Sequence, residues 1–149
     1  MPSPALSYHV ASDAERKAAV QVRIRVFVEI QGFPLEEEVD EYDKTALHIV
    51  CTDDGAVVGT LRVLRSPGVA KIGRVVIVPE YQGKGIGKQM MRFAESYVAE
   101  NYEDCMLTKL GSQLDKRGFY ESCGYVAEGD VYDDLGCPHI WMYKPVART

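Results

Sequence analysis

The 149-residue sequence predicts an α/β or α+β fold in which helices cover a mixed β-sheet. Three observations lead there. Short apolar runs of strand length are interleaved with two long amphipathic patterns. Turns rich in glycine and proline separate them. No repeat, low-complexity tract or linker marks a second unit, so residues 1–149 read as one domain, long enough for one core.

Leu6 to Val10 predicts a first strand. Asp13 is placed as a helix N-cap, because its carboxylate accepts from the free amides of the next turn. Val20, Ile24, Phe27 and Val28 then recur at helical spacing, which predicts an amphipathic helix stopping near Gln31-Gly32. Residues 32–44 read as a loop with a short helical turn, dense in acid from Glu36 to Asp43. Strands are expected over residues 48–52 and 57–64, joined by the hairpin chemistry of Asp53-Asp54-Gly55, and a third over 70–78. Residues 84–100 form the clearest helix, with Ile86, Met90, Phe93, Ala94, Tyr97 and Val98 as one apolar stripe. A strand over 105–110, a helix over 114–123 and strands over 125–132 and 140–144 complete the pattern.

Composition bounds the function only loosely. A net charge of -5 argues against a general nucleic-acid binder and suits a cationic substrate. No apolar run approaches the ~20 residues of a membrane span, and residues 1–9 lack a secretory pattern. Cys51, Cys105, Cys123 and Cys137 are widely spaced, which predicts reduced thiols, no metal and a cytoplasmic location by default.

The most informative segment runs Val75-Val76-Ile77-Val78-Pro79-Glu80-Tyr81-Gln82-Gly83-Lys84-Gly85-Ile86-Gly87. A buried strand enters a turn that opens a helix. Free amides and the positive dipole end at a helix start attract phosphate oxygens, and Lys84 adds charge beside them. The Walker grammar fails, since Gly87-Lys88 is followed by Gln89. The dinucleotide fingerprint fails too, since Lys88 stands where its last glycine belongs. Gln82, Gly85 and Gly87 instead satisfy Gln/Arg-x-x-Gly-x-Gly/Ala. Downstream, Phe119-Tyr120-Glu121-Ser122-Cys123-Gly124-Tyr125 supplies a Phe-Tyr-x-x-x-Gly-Phe/Tyr pattern.

Together these two motifs resemble those of the Gcn5-related N-acetyltransferases (GNAT). The likeness extends from about Val22 to Met142. It takes in Val22-to-Gln31, the acidic Glu36-to-Asp40, His48-Ile49-Val50 and Gly136-Cys137-Pro138-His139-Ile140-Trp141-Met142, as in a small single-domain subgroup. The resemblance implies a mixed, mostly antiparallel sheet with a splayed strand pair. It implies acetyl-CoA as cosubstrate, its pantetheine arm beside Ile77 and Val78 and its pyrophosphate at Gln82, Gly83, Lys84, Gly85, Ile86 and Gly87. Lys116 and Arg117 are expected near the cofactor side, either meeting a phosphate or standing as solvated helix charges. A backbone amide near Val78 is the implied donor to the carbonyl oxygen. Dimers are frequent among relatives, although no segment here marks an interface.

Tyr120 is the expected catalytic residue, since a phenol is protonated at neutral pH and can donate to the departing thiolate. Many relatives carry a glutamate on the strand before the glycine turn. Residues 71–76 hold no carboxylate, so the general base is open among Glu38, Asp40, His48 and His139. Glu38, Asp40 and His139 are also the candidate substrate contacts, the acidic run being either an anionic rim or a solvated loop. The expected reaction is direct transfer to a primary amine, of a small molecule such as an amino sugar. Acetylation of a peptide or protein amine and a non-catalytic acyl-CoA sensor are the alternatives.

Overall fold

The computed structural model describes residues 5–148. Residues 1–4, part of the stretch read for a secretory pattern, lie outside the described residues. The chain opens with β1 (Leu6–Val10) and α1 (Asp13–Arg23). Ser12, not Asp13, caps the helix. Its hydroxyl accepts from the Glu15 amide at 3.2 Å while Glu15 Oε1 accepts from the Ser12 amide at 2.9 Å, a reciprocal capping box.

The helix does not continue as a regular α-helix. Ile24–Ile30 widens into π-helical turns, seen in the Gln31 amide donating to the Val26 carbonyl at 2.9 Å. Gly32, with φ of +84°, ends it. The acidic segment holds α2 (Leu35–Glu38) and a 3₁₀ turn (Glu41–Lys44) capped by Asp40.

The hairpin β2 (Leu47–Asp53) and β3 (Ala56–Ser66) turns over Asp54-Gly55, whose φ values of +50° and +86° give the positive pair of a type I′ turn. Then follow β4 (Val69–Ile77), α3 (Ile86–Asn101), β5 (Leu107–Gln113) and α4 (Arg117–Ser122). The single strand expected over residues 125–132 is two short ones, β6 (Val126–Ala127) and β7 (Tyr132–Asp134), with Gly129 in a left-handed conformation between them. The last strand, β8 (Cys137–Pro145), is longer than predicted because it pairs with β5, β6 and β7.

The sheet order is β1-β2-β3-β4-β5-β8-β6, with β7 also on β8. Every pair is antiparallel except β4 and β5. Those two meet in parallel only over Val69–Lys71 and Leu107–Lys109, and beyond that point the ladder stops. Arg74 lies at the divergence with φ of +52°, and the β3–β4 register shifts between Thr60 and Arg62. An extra residue bends its strand, so β4 leaves β5 and a cleft opens. The sheet is therefore mixed, mostly antiparallel and splayed.

One core joins α3 to the sheet. Ile86, Met90, Met91, Ala94 and Val98 are buried with Leu61, Val63, Ile72, Val76, Leu110 and Met142. Each large apolar side chain buried here contributes about 1.5–3 kcal/mol. Met91 is fully buried although the expected stripe omitted it. Among the described residues no helix is long and apolar enough to cross a membrane. All four cysteines are free, with Cys51 and Cys105 buried.

Candidate active site

A cavity of about 840 Å³ occupies the gap where β4 and β5 part. On its glycine-turn side, Gly83 and Gly85 have φ of +79° and +81°, with nothing within 4 Å of where a Cβ would stand. Gly85 caps α3 without any side-chain hydrogen bond, so the first amides of a 16-residue helix stay available. Gln82 Nε2 donates to the Ile77 carbonyl at 2.9 Å, tying the turn to the end of β4. Gly87 fits for another reason. A Cβ there would stand 3.1 Å from Phe119 Cζ, so the two motifs far apart in sequence are packed against each other.

Gln82, Gly83, Gly85, Ile86, Gly87 and Ile77 line the cavity. Two expected residues do not. Val78 is buried, and its amide donates to the Val58 carbonyl at 2.9 Å, so it is not free to face the cleft. Strand alternation turns the neighbouring Ile77 amide the other way, toward the unpaired edge of β4. Lys84 lies with its ammonium 5.1 Å from the Tyr81 ring centroid, and Lys88 is the lysine of this turn that reaches the cavity wall.

Tyr120 lines the same cavity from α4. Its ring is held edge-on between Phe119 and Tyr125, with centroids at 5.0 and 6.3 Å. Its hydroxyl has no hydrogen-bond partner among the described residues. Burial, reinforced by Cys123, pushes the phenol well above its ordinary pKa, so it stays protonated. Lys116 also lines the cavity, whereas Arg117 pairs with Glu121 at 3.4 Å.

The acidic segment divides in two: Glu36, Glu37 and Glu41 are exposed, whereas Glu38, Asp40 and Asp43 are held by arginines. Glu38 Oε2 meets Arg23 Nε at 2.9 Å and Arg74 Nε at 3.1 Å. Asp40 receives both terminal nitrogens of Arg62, at 2.7 and 2.9 Å. Asp43 bridges Arg23 and Arg62 at 2.7 and 3.0 Å. Charge-assisted forks of this kind fix side-chain geometry. Burial pushes the Glu38 carboxyl up, against the pull of Arg74 and Arg23. Hydrogen bonding from Arg62 holds Asp40 below its ordinary value. Glu38 lines the cavity and Asp40 stands behind it. His48, another proposed base, is buried with Nε2 on the Asp43 carbonyl at 2.9 Å and lies outside the cavity lining.

His139 does line the cavity, on β8. Its Nδ1 lies 2.9 Å from the Cys137 carbonyl, which only accepts, so Nδ1 carries a proton and any acceptor role falls to Nε2. The ring packs on Tyr132 at 5.7 Å. Residues not singled out from the sequence complete this half. Lys71, Tyr132 and Trp141 line it, and a Cβ on Gly111 would stand 2.3 Å from the Tyr132 hydroxyl. Period-two alternation along β8 puts His139 and Trp141 on one face, a signal present in the sequence.

Splayed strands, an open glycine turn on a helix start and an unpartnered phenol thus meet in one cleft. A family model described as an acetyltransferase (GNAT) domain matches residues 11–146. Protein ElaA of Escherichia coli is 30% identical over 149 residues, covering 97% of this chain and 96% of ElaA. Its crystal structure superposes with a TM-score of 0.81 over 93% of this chain and 97% of that one. An acyl-CoA N-acyltransferase structure from Pseudomonas aeruginosa gives 0.81 at 29% identity, again over 93% and 97%. A spermidine N-acetyltransferase from Vibrio cholerae, solved with CoA and spermine, shares the fold at 17% identity and a TM-score of 0.74, over 95% and 96%. The chain belongs to the GNAT acetyltransferase family. It is an acyltransferase, and acetyl-CoA is its cosubstrate.

Proposed function

We propose that this enzyme acetylates the primary amine of a small molecule by direct transfer within a ternary complex. The carrying observation is that the unpartnered Tyr120 hydroxyl and the open glycine turn face one cavity. Acetyl-CoA supplies the activated acetyl thioester, from which a C–N bond forms as the C–S bond breaks. The α3 amides and the backbone of Gly83 to Gly87 hold the pyrophosphate, with Lys88 and Lys116 as countercharges. The Ile77 edge pairs with the pantetheine arm, and its outward amide takes the place that Val78 cannot fill as donor to the carbonyl oxygen. Tyr120 gives its proton to the departing thiolate.

The amine is received on the other side. Both guanidinium bonds to Glu38 engage Oε2, so Oε1 keeps its lone pairs for an ammonium. His139 Nε2 takes the proton the amine must lose, and Asp40 acts from behind by holding Arg62 and Arg74 in place. One fold neighbour is a spermidine N-acetyltransferase solved with CoA and spermine, and another is a ribosomal-protein-S18-alanine N-acetyltransferase, so the fold alone does not choose the acceptor. The test is thiol release from acetyl-CoA across an amine panel. Catalytic acetylation of a free small amine is the expected result. Tight cofactor binding without turnover of any amine would mean an acyl-CoA sensor, and turnover of peptides alone would mean a protein substrate.

A further inference from the structure

The acceptor half of the cavity carries positive charge that the transfer chemistry does not use. Glu38, Asp40 and Asp43 are matched by Arg23, Arg62 and Arg74, so that network contributes little net charge. Lys71 and Lys109 stand outside it. They face each other in register at the last paired position before β4 and β5 part. Their ammonium groups lie 5.3 and 4.2 Å from the Trp141 ring centroid, and Trp141 stacks on Tyr132 at 5.3 Å with 21° between planes.

Among the described residues neither lysine has a carboxylate within ion-pair distance. Partial burial, then Lys109, Arg62 and Arg74, push the Lys71 ammonium below its ordinary pKa, and Asp134 pulls weakly the other way. Lys71, Trp141 and Tyr132 all line the cavity. The corner is therefore an aromatic wall with a cation at its foot that has no direct ion-pair partner, although Asp134 lines the same cavity.

We propose that this corner is a subsite for an anionic group, a carboxylate or a phosphate, carried by the acceptor amine, whose apolar part lies against Tyr132 and Trp141. The proposal rests on the amine-acetylation reading above. An anion on Lys71 makes a charge-assisted contact with an exposed ammonium that stands beside the Tyr132–Trp141 wall. It also offsets the mutual repulsion of Lys71, Lys109 and Arg74. Glu38 Oε1 and His139 Nε2 remain for the amino group, so the two halves of a zwitterionic acceptor meet different partners. A polyamine would add cations to this corner and is disfavoured.

The test compares amines with and without an anionic group, with rates referred to the neutral-amine fraction of each: phenylalanine with its methyl ester, and phosphoethanolamine with ethanolamine, with spermidine as a polycation. kcat/KM by thiol release is expected to favour at least one anionic member over its uncharged partner by about tenfold, the scale of one contact to a charged group. Which pair responds distinguishes carboxylate from phosphate. Lys71→Met is expected to abolish that preference while the KM for acetyl-CoA stays unchanged and circular dichroism shows a folded protein. Uncharged members matching or exceeding the anionic ones, or spermidine as the best acceptor, would overturn the subsite.

A second readout separates the two readings. The same amines are titrated into the CoA-loaded protein and followed by thermal shift. Lys71-dependent binding of the anionic amines without turnover supports the subsite and sinks the transfer reading. Turnover without charge discrimination does the reverse. Neither turnover nor binding of any anionic amine also overturns the subsite.

Discussion

Tyr120 combines two properties that a proton donor to a leaving thiolate requires. Its hydroxyl is unpartnered, and burial keeps it protonated far above neutral pH. Replacement by Phe keeps the ring contacts with Phe119 and Tyr125 and removes only the proton. Tyr120→Phe is therefore expected to lower kcat by about 10²-fold, the scale of general acid catalysis, with CoA affinity changed less than about threefold. Steady-state kinetics beside CoA titration checks this, and an unchanged kcat removes Tyr120 from the reaction. Gly111 tests the opposite side. A side chain there would meet the Tyr132 hydroxyl, which is expected to displace the aromatic wall. Gly111→Ala should raise KM for the amine several-fold while KM for acetyl-CoA stays put; equal effects on both would show a general disturbance.

At the scale of elements, the glycine turn suits the proposed pyrophosphate site because positive φ and empty space coincide at Gly83 and Gly85. A branched residue at Gly85 costs about 1–2 kcal/mol of backbone strain and occupies that space. Gly85→Val is expected to weaken CoA binding at least about tenfold while circular dichroism shows a folded protein; normal binding by a folded variant would refute the phosphate-turn assignment. Such turns are legible in sequence because their geometry is local. Gln82 to Gly87 and Phe119 to Tyr125 could be read directly, as could the Ser12-x-x-Glu15 capping box that the choice of Asp13 passed over. The π-helical turns of Ile24–Ile30 could not, since over seven residues the apolar spacing of the two helix types overlaps. Nor could the partners of the acidic segment. Arg23 is 15 residues from Glu38, and Arg74 is 36, so only the tertiary fold draws Glu38, Asp40 and Asp43 out of an apparently solvated loop into a fork of ion pairs. The Lys71 corner has the same origin: it needs β4 beside β5 and β5 beside β8, two pairings that no local pattern specifies.

Over the whole molecule, the arginine–carboxylate network fastens α1, the acidic segment, β3 and β4 around the acceptor half of the cleft. Its cohesion is tied to pH. Burial pushes Asp43 up, but hydrogen bonds and charges from Arg23 and Arg62 outweigh it and hold the carboxyl at about 2, below its ordinary 3.8. A carboxyl depressed by folding adds stability that is present above its unfolded pKa and is lost as pH falls through the folded one. Asp43 should therefore contribute about 2 kcal/mol above about pH 4, disappearing toward about pH 2. Asp40 acts with the same sign, and Glu38, raised by burial, with the opposite one. The variant Asp43→Asn leaves Arg23 and Arg62 short of a countercharge. It is expected to be less stable near neutrality by about 2 kcal/mol and to converge with the wild type in acid. Urea midpoints measured from about pH 6 down to about pH 2 should show the two curves closing; a constant offset across that range would mean that Asp43 stabilises the fold through packing and not through its charge.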